Sequence, residues 1–206
     1  IYRHNLKITQ VNASYVNAYE KTNVLVMSLG LHGIKGDSAS NEANIQDFLQ
    51  EVVMLKCFIS QDSIEKTFVT TRLLRGNLCN LLRTMVNFIH QTLVHADMHL
   101  YRPNNIEESF CKNIDLTIQL CKIFELKFHP KNHNLKKYTK EKEAFLSLIS
   151  KLDTGDVVTD QRRKNVLLQG LNFIEHTLKT NFYRNNKSAF SFRLDPNYLL
   201  DLPYDA

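Results

Sequence analysis

Apolar positions change period along the chain. Val24-Leu25-Val26-Met27-Ser28-Leu29-Gly30-Leu31 is a short apolar run followed by turn residues, which predicts a buried strand. Leu6, Ile8 and the stretch to Val11 predict a weaker strand before it. Ile45, Phe48, Leu49 and Val52 recur at helical spacing. Met54 to Ile59 and Thr67 to Thr71 have strand character. From Gly76 the period is helical. Leu78, Leu81, Leu82, Met85, Ile89 and Leu93 make one stripe. Ile114, Ile118, Cys121, Phe124 and Phe128 make a second, with Pro130 just beyond, where helices commonly stop. Phe145, Leu148, Ile149 and Leu152 make a third, and Leu167, Leu171, Ile174 and Leu178 a fourth, interrupted by Gly170. Asn105 and Glu108 have the spacing of a capping pair.

Such stripes are buried only against one another, so residues 75–182 are expected to form a helical layer or bundle. Phe190, Phe192 and Leu194 alternate with Ala189, Ser191 and Arg193, as in a half-buried strand. No sequence remains after it to supply pairing strands on that side, so the strand is expected to lack its neighbours, as at an artificial C-terminus. The predicted fold class is α+β and predominantly helical. It consists of a small α+β unit at 1–74, a helical region at 75–184 and a C-terminal stretch at 185–206 that carries one strand. Asn87 to Leu93 resembles Asn172 to Leu178, which reads as chance similarity between amphipathic helices, two copies being too few for a solenoid.

Composition narrows the class more than the function. The 206 residues are 43% hydrophobic, enough for a packed core and too many for wholesale disorder. Six Gly and four Pro argue against a many-stranded β protein. No apolar run approaches the length of a membrane span. The chain starts at Ile1 with no signal-peptide pattern, so it is expected to be a cytoplasmic segment of something longer.

Cys57, Cys79, Cys111 and Cys121 form no C-x-x-C pair, and are expected to be reduced and mostly buried. On one helix Cys111 and Cys121 would lie roughly 15 Å apart, too far for a disulfide. If Asn113 starts a new helix, that geometry is open.

Candidate chemistry is sparse. The net charge is +5, concentrated in Lys127, Lys131, Lys136, Lys137, Lys140 and Lys142. This run reads as a solvated loop in preference to a phosphate-binding surface, because only Tyr138 interleaves it. His90, His95 and His99, with Asp97, step by five and four, so His90 falls outside the i, i+4 spacing and diverges from His95 by about 140° around a helix. They read as helix-end polar residues, with no metal expected. Gly30, Gly33 and Gly36 follow a strand but lack both the dinucleotide and the Walker pattern, and read as a strand-to-helix loop needing positive φ. No nucleophile elbow and no paired-carboxylate site stands out. No catalytic, cofactor-binding or metal-binding residue is assigned.

An ordered set of motifs nevertheless resembles a known family. Leu29-Gly-Leu-His-Gly33, Asn80-Leu-Leu-Arg83, Phe88 to His95, Asp153-Thr-Gly155 with Arg162-Arg-Lys-Asn165, Lys179 to Tyr183 and Lys187 to Pro196 occur in the order found in large NAD-specific glutamate dehydrogenases. The resemblance covers nearly the whole chain. It implies a parent enzyme that converts L-glutamate, NAD and water to 2-oxoglutarate, ammonia and NADH. It also implies that the substrate lysines and the Rossmann domain lie outside these 206 residues. This part would then be a scaffolding or regulatory region, inactive alone, with 185–206 the start of a truncated substrate or catalytic domain. Its partners would be the remainder of its own chain and the other subunits of a homo-oligomer, with no membrane and no nucleic acid. The rival expectation is a stand-alone helical module binding nucleic acid or an acidic protein.

Overall fold

The computed structural model describes residues 5–18, 22–36, 38, 45, 48–49, 52, 62–69, 71, 73–184, 187 and 189–202. The chain divides into two compact units, Ile1–Ser60 and Gln61–Ala206. The fold is α+β and mostly helical.

In the first unit, β1 (Leu6–Ala18) pairs antiparallel with β2 (Thr22–Gly33). Both predicted strands are present and longer than their apolar runs, but β2 is not the buried strand expected, since Val24, Leu25, Val26 and Met27 are about half exposed. A bulge between Ile8 and Gln10 shifts the register. Gly30 sits opposite it, where a Cβ would come within 3.1 Å of the Gln10 Cβ and 3.2 Å of the Thr9 hydroxyl. Gly30 and Gly33 therefore belong to the strand, not to a loop, and only Gly36 of the three has positive φ (97°). Positions 45, 48, 49 and 52 are helical. The strand expected at 54–59 lies outside the described residues.

The second unit opens on a π-helical turn, Glu65–Val69, where the sequence suggested a strand. Five helices follow: α1 (Gly76–Leu93), α2 (Pro103–Lys112), α3 (Ile114–Phe128), α4 (Leu135–Ser150) and α5 (Val157–His176). Helix α5 packs against each of the other four. That central position explains why its polar residues Gln169 and Asn172 are buried with its apolar ones. The Asn172 amide meets part of its burial cost by donating from Nδ2 to Gln169 Oε1 (3.0 Å) and to the Tyr198 carbonyl (3.1 Å). Gly170 lets α3 approach, since a Cβ there would lie 2.8 Å from Leu120 Cδ2.

Local chemistry sets the helix ends. Pro103 opens α2, where a missing N–H costs nothing. Asn105 is inside the helix and does not cap it. Its side chain instead donates to the His99 and Leu100 carbonyls. Asn113 separates α2 from α3, and Cys79, Cys111 and Cys121 are free thiols. Asn134 caps α4 by accepting from the Lys137 amide, and Asp156 caps α5 by accepting from Val158 and Thr159.

The largest departure from the sequence pattern is at the end of α5. The helix stops at His176, and Thr177–Thr180 forms β3, paired antiparallel with β4 (Phe192–Leu194). Leu178, the last member of the predicted stripe, is on this strand and exposed. The C-terminal strand thus has its neighbour inside the chain. Thr177 is β-branched and its hydroxyl bonds back to the Phe173 carbonyl (2.6 Å), so the chain leaves helical geometry there with its polar groups satisfied. A 3₁₀ turn, Pro196–Asp201, follows β4.

The aromatic cluster fastens this small sheet to the helices. Phe182 packs on Phe124, Phe192 on Phe173, and Phe173 on Phe88 with ring centroids 5.1 Å apart. Phe88 and Phe173 are equivalent positions of the two similar heptapeptides. The first segment lies at the C-terminal end of α1 and the second runs from the end of α5 into β3, and the two helices meet at these rings. Among the described residues no helix is long and apolar enough to cross a membrane.

Candidate functional site

The basic run is not a loop. Lys127 ends α3, only residues 129–134 connect, and Lys136 onward lie on α4. Helix formation separates these lysines by role. Lys127 is half-buried, and its ammonium donates to the carbonyls of Ile174 (2.7 Å), Glu175 (2.8 Å) and Thr177 (3.1 Å). These are carbonyls at the C-terminal end of α5, where the helix leaves acceptors unpaired and the macrodipole favours a cation. Burial pushes the Lys127 ammonium below the ordinary lysine range, with Glu175 opposing and Lys142 adding to the effect. Lys142 is paired with Glu175. Lys122 reaches Glu141 at 2.6 Å, and Gln119 donates to the Glu141 carbonyl. Burial and then Glu175 push the Tyr138 phenol up to about 12, so it is neutral here.

The lysines left exposed are Lys131, Lys136, Lys137 and Lys140. Lys131 and Lys137 border a hollow of about 450 Å³ with Lys122, Glu125, Asn132 and His133. His133 is not free to turn into it, because its Nδ1–H donates to the Lys127 carbonyl at 2.7 Å.

The histidines are dispersed into local roles. His90 Nδ1 donates to the Tyr101 carbonyl (2.8 Å), tying α1 to the start of α2. His99 Nδ1 accepts from Arg102 (2.7 Å), and His95 is exposed. Asp97 accepts from the His99 and Leu100 amides, which hold its carboxyl below the ordinary range. Among the described residues no group of three His, Cys, Asp or Glu side chains is placed to hold a metal ion.

The densest polar cluster was not legible in the sequence. Arg83 on α1 pairs with Asp62 through Nε and, at 3.0 Å, through Nη2. It also reaches Glu65 Oε2 (3.2 Å) and Asn80 Oδ1 (2.6 Å). Burial pushes the Asp62 carboxyl up, but hydrogen bonds from Arg83 and the Glu65 amide outweigh it and hold it below its ordinary value. Nearby Glu107 goes the other way, raised by burial and then by the Asp62 charge. Burial also raises the Cys111 thiol, which keeps it protonated and a poor nucleophile at neutral pH. Only the Asn80–Arg83 spacing, one helical turn, signalled any of this. Asp62 and Glu65 lie 21 and 18 residues earlier, and nothing local marks them as partners.

The segment 179–196 is held by a second set of bonds. The Asn181 side chain donates to the Ala189 carbonyl (2.9 Å) and accepts from the Ser191 amide (2.8 Å), bridging the two strands. Lys187 lies over the rings of Phe182 and Phe190, with its ammonium 5.9 and 5.1 Å from their centroids, and donates to the Phe182 and Arg184 carbonyls. Comparison with protein-family models, with curated proteins and with solved structures returns no match to this chain.

Proposed function

We propose that this chain is the helical, non-catalytic part of a large, cytoplasmic, NAD-specific glutamate dehydrogenase, acting as scaffold or regulatory region. Glutamate oxidation and NAD binding then belong to the rest of a homo-oligomeric enzyme. The observation that carries the proposal is that motifs of the family resemblance are used here to join elements. Arg83 of Asn80–Arg83 ties the π-helical turn to α1. Asp160 accepts from the Thr154 amide and hydroxyl, locking Asp153–Gly155 onto the first turn of α5. Arg162 reaches Glu108 (3.3 Å), and Asn165 donates to the Tyr101 hydroxyl (2.7 Å), joining α5 to α2 and its approach. Asn181 and Lys187 fix the terminal sheet. Side chains held this way position helices and are not free to meet a substrate.

Two measurements test the proposal. The encoding gene, read past Ala206, should supply a strand, a G-x-G-x-x-G turn and a helix. The 206-residue chain should show no heat of NAD binding in calorimetry and no glutamate oxidation, whereas NAD binding at micromolar Kd would contradict the proposal. A second reading, a binding module for nucleic acid or an acidic protein, is favoured by the Lys122, Lys131 and Lys137 grouping around one hollow. It predicts retention on DNA or RNA that falls steeply with salt.

A further inference from the structure

We infer that the N-terminal hairpin is a self-association surface, and that its occupant is the hairpin of a second copy of this chain. The register places Ile8, Val11, Ala13 and Tyr15 opposite Leu31, Leu29, Met27 and Leu25, and directly opposed residues share a face. The bulge makes this possible, since it brings Ile8 onto the side of Val11 despite their odd spacing. The result is an uncharged face from Ile8 to Tyr15, on which the one polar side-chain group is the Tyr15 hydroxyl. The other face carries Lys7, Gln10, Asn12, Ser14 and Ser28 beside Val16, Val24 and Val26.

The apolar face is uncovered toward the tip of the hairpin. Leu6 at the base is buried, whereas Val11 is 54% exposed, Met27 58% and Tyr15 77%. A two-stranded hairpin in water is marginal unless its apolar face is packed. Covering this face with its own image would remove roughly 500–700 Å² per copy, so about 1,000–1,400 Å² in all, which reaches the lower range of specific interfaces.

The occupant follows from charge. Across both strands the sequence has no acidic residue and one lysine, Lys7, which lies on the opposite face. A membrane-surface element would carry cations at its rim, and a charged partner would need charges to select it. An uncharged stripe meets no repulsion from its own image. Apart from Lys7, the strands also lack the lysines, acids and prolines that natural edges use against pairing.

Sedimentation velocity of the 206-residue chain from 1 to 200 μM should show a concentration-dependent dimer. Met27→Glu, on the apolar face, should weaken it at least tenfold, while Ser14→Glu, on the opposite face, should leave it unchanged. Val11→Asn, neutral and close in volume, is the second variant and should weaken the dimer in the same direction. Far-UV circular dichroism should show the helices intact in all three. A chain that stays monomeric at 200 μM would overturn the inference, because the face would then be covered by its own chain or left for another partner. So would a dimer that Met27→Glu and Val11→Asn leave as tight as Ser14→Glu does.

Discussion

The hairpin and the helical unit treat the same residue types in opposite ways. In the helical unit Leu81, Leu82, Met85, Ile89 and Phe124 are fully buried. In the hairpin Val11, Leu25, Val26 and Met27 are all about half exposed. The helices are legible from their apolar stripes and the hairpin from its apolar runs. The difference lies in the number of neighbours. Helix α5 has four helices around it, whereas among the described residues each hairpin strand has one partner strand in its sheet. Amphipathic periodicity therefore identifies an element and its apolar side, but the element count decides whether that side is paired within the unit.

The contrast can be broken by putting one charge into each region. Ile174→Asp should unfold or aggregate the helical unit, because an unpaired charge in a core costs several kcal/mol against a total stability of about 5–15 kcal/mol. Leu25→Asp in the hairpin should leave the helical circular dichroism and its melting midpoint unchanged. Equal losses in both variants would mean that the hairpin is as dependent on its apolar residues as the bundle is. Gly170→Val should cost about 1–3 kcal/mol in urea unfolding, since the added carbons meet Leu120 where the helices touch. An unchanged midpoint would show that α3 and α5 have room to spare.

Acid should weaken the helical unit through Asp62. Its lowered pKa means that its contribution is complete above the ordinary carboxylate value and is lost as the pH falls through the depressed one. Glu107 opposes this, since a raised carboxyl favours the folded state at low pH and loses that contribution as the pH rises through its folded value. Asp62→Asn should cost about 1 kcal/mol at neutral pH, discounted for a partly exposed pair, and should shrink the drop in melting temperature between pH 6 and pH 3. An unchanged drop would place the acid sensitivity elsewhere. The smallest effect is expected from changing Lys136, Lys137 and Lys140 together to Ser, about 0.5 kcal/mol or less for each exposed charge. Loss of nucleic-acid retention in that variant would instead favour the binding-module reading.

Most of the helical unit was visible in its stripes, and the stop near Pro130 in its proline. Three features were not. The first turns of α4 were hidden by Lys136, Lys137 and Lys140, which look like a solvated loop when the apolar face is reduced to Phe145 and Ile149. Leu178 continued a helical stripe numerically, but the Thr177 hydroxyl and the pairing of Thr177 with Leu194 favour a strand. That pairing spans 17 residues, and local periodicity does not encode it. For the same reason the Arg83 cluster was invisible, because its acids, Asp62 and Glu65, lie 21 and 18 residues before it and no local pattern links them. The extension of the hairpin beyond its apolar runs depends on backbone pairing through Asn12, Ser14 and Asn17, which no hydrophobic pattern marks.

Hydrogen exchange followed against protein concentration tests the contrast most directly. The amides of α5 should be equally protected at 1 and at 200 μM, because their cover comes from the same chain. Those of Val11 to Tyr15 and Leu25 to Leu29 should exchange fast at 1 μM and become protected at 200 μM, in step with dimer formation. Hairpin amides as protected as those of α5 at 1 μM would contradict the account, since the hairpin would then have its cover without a second copy.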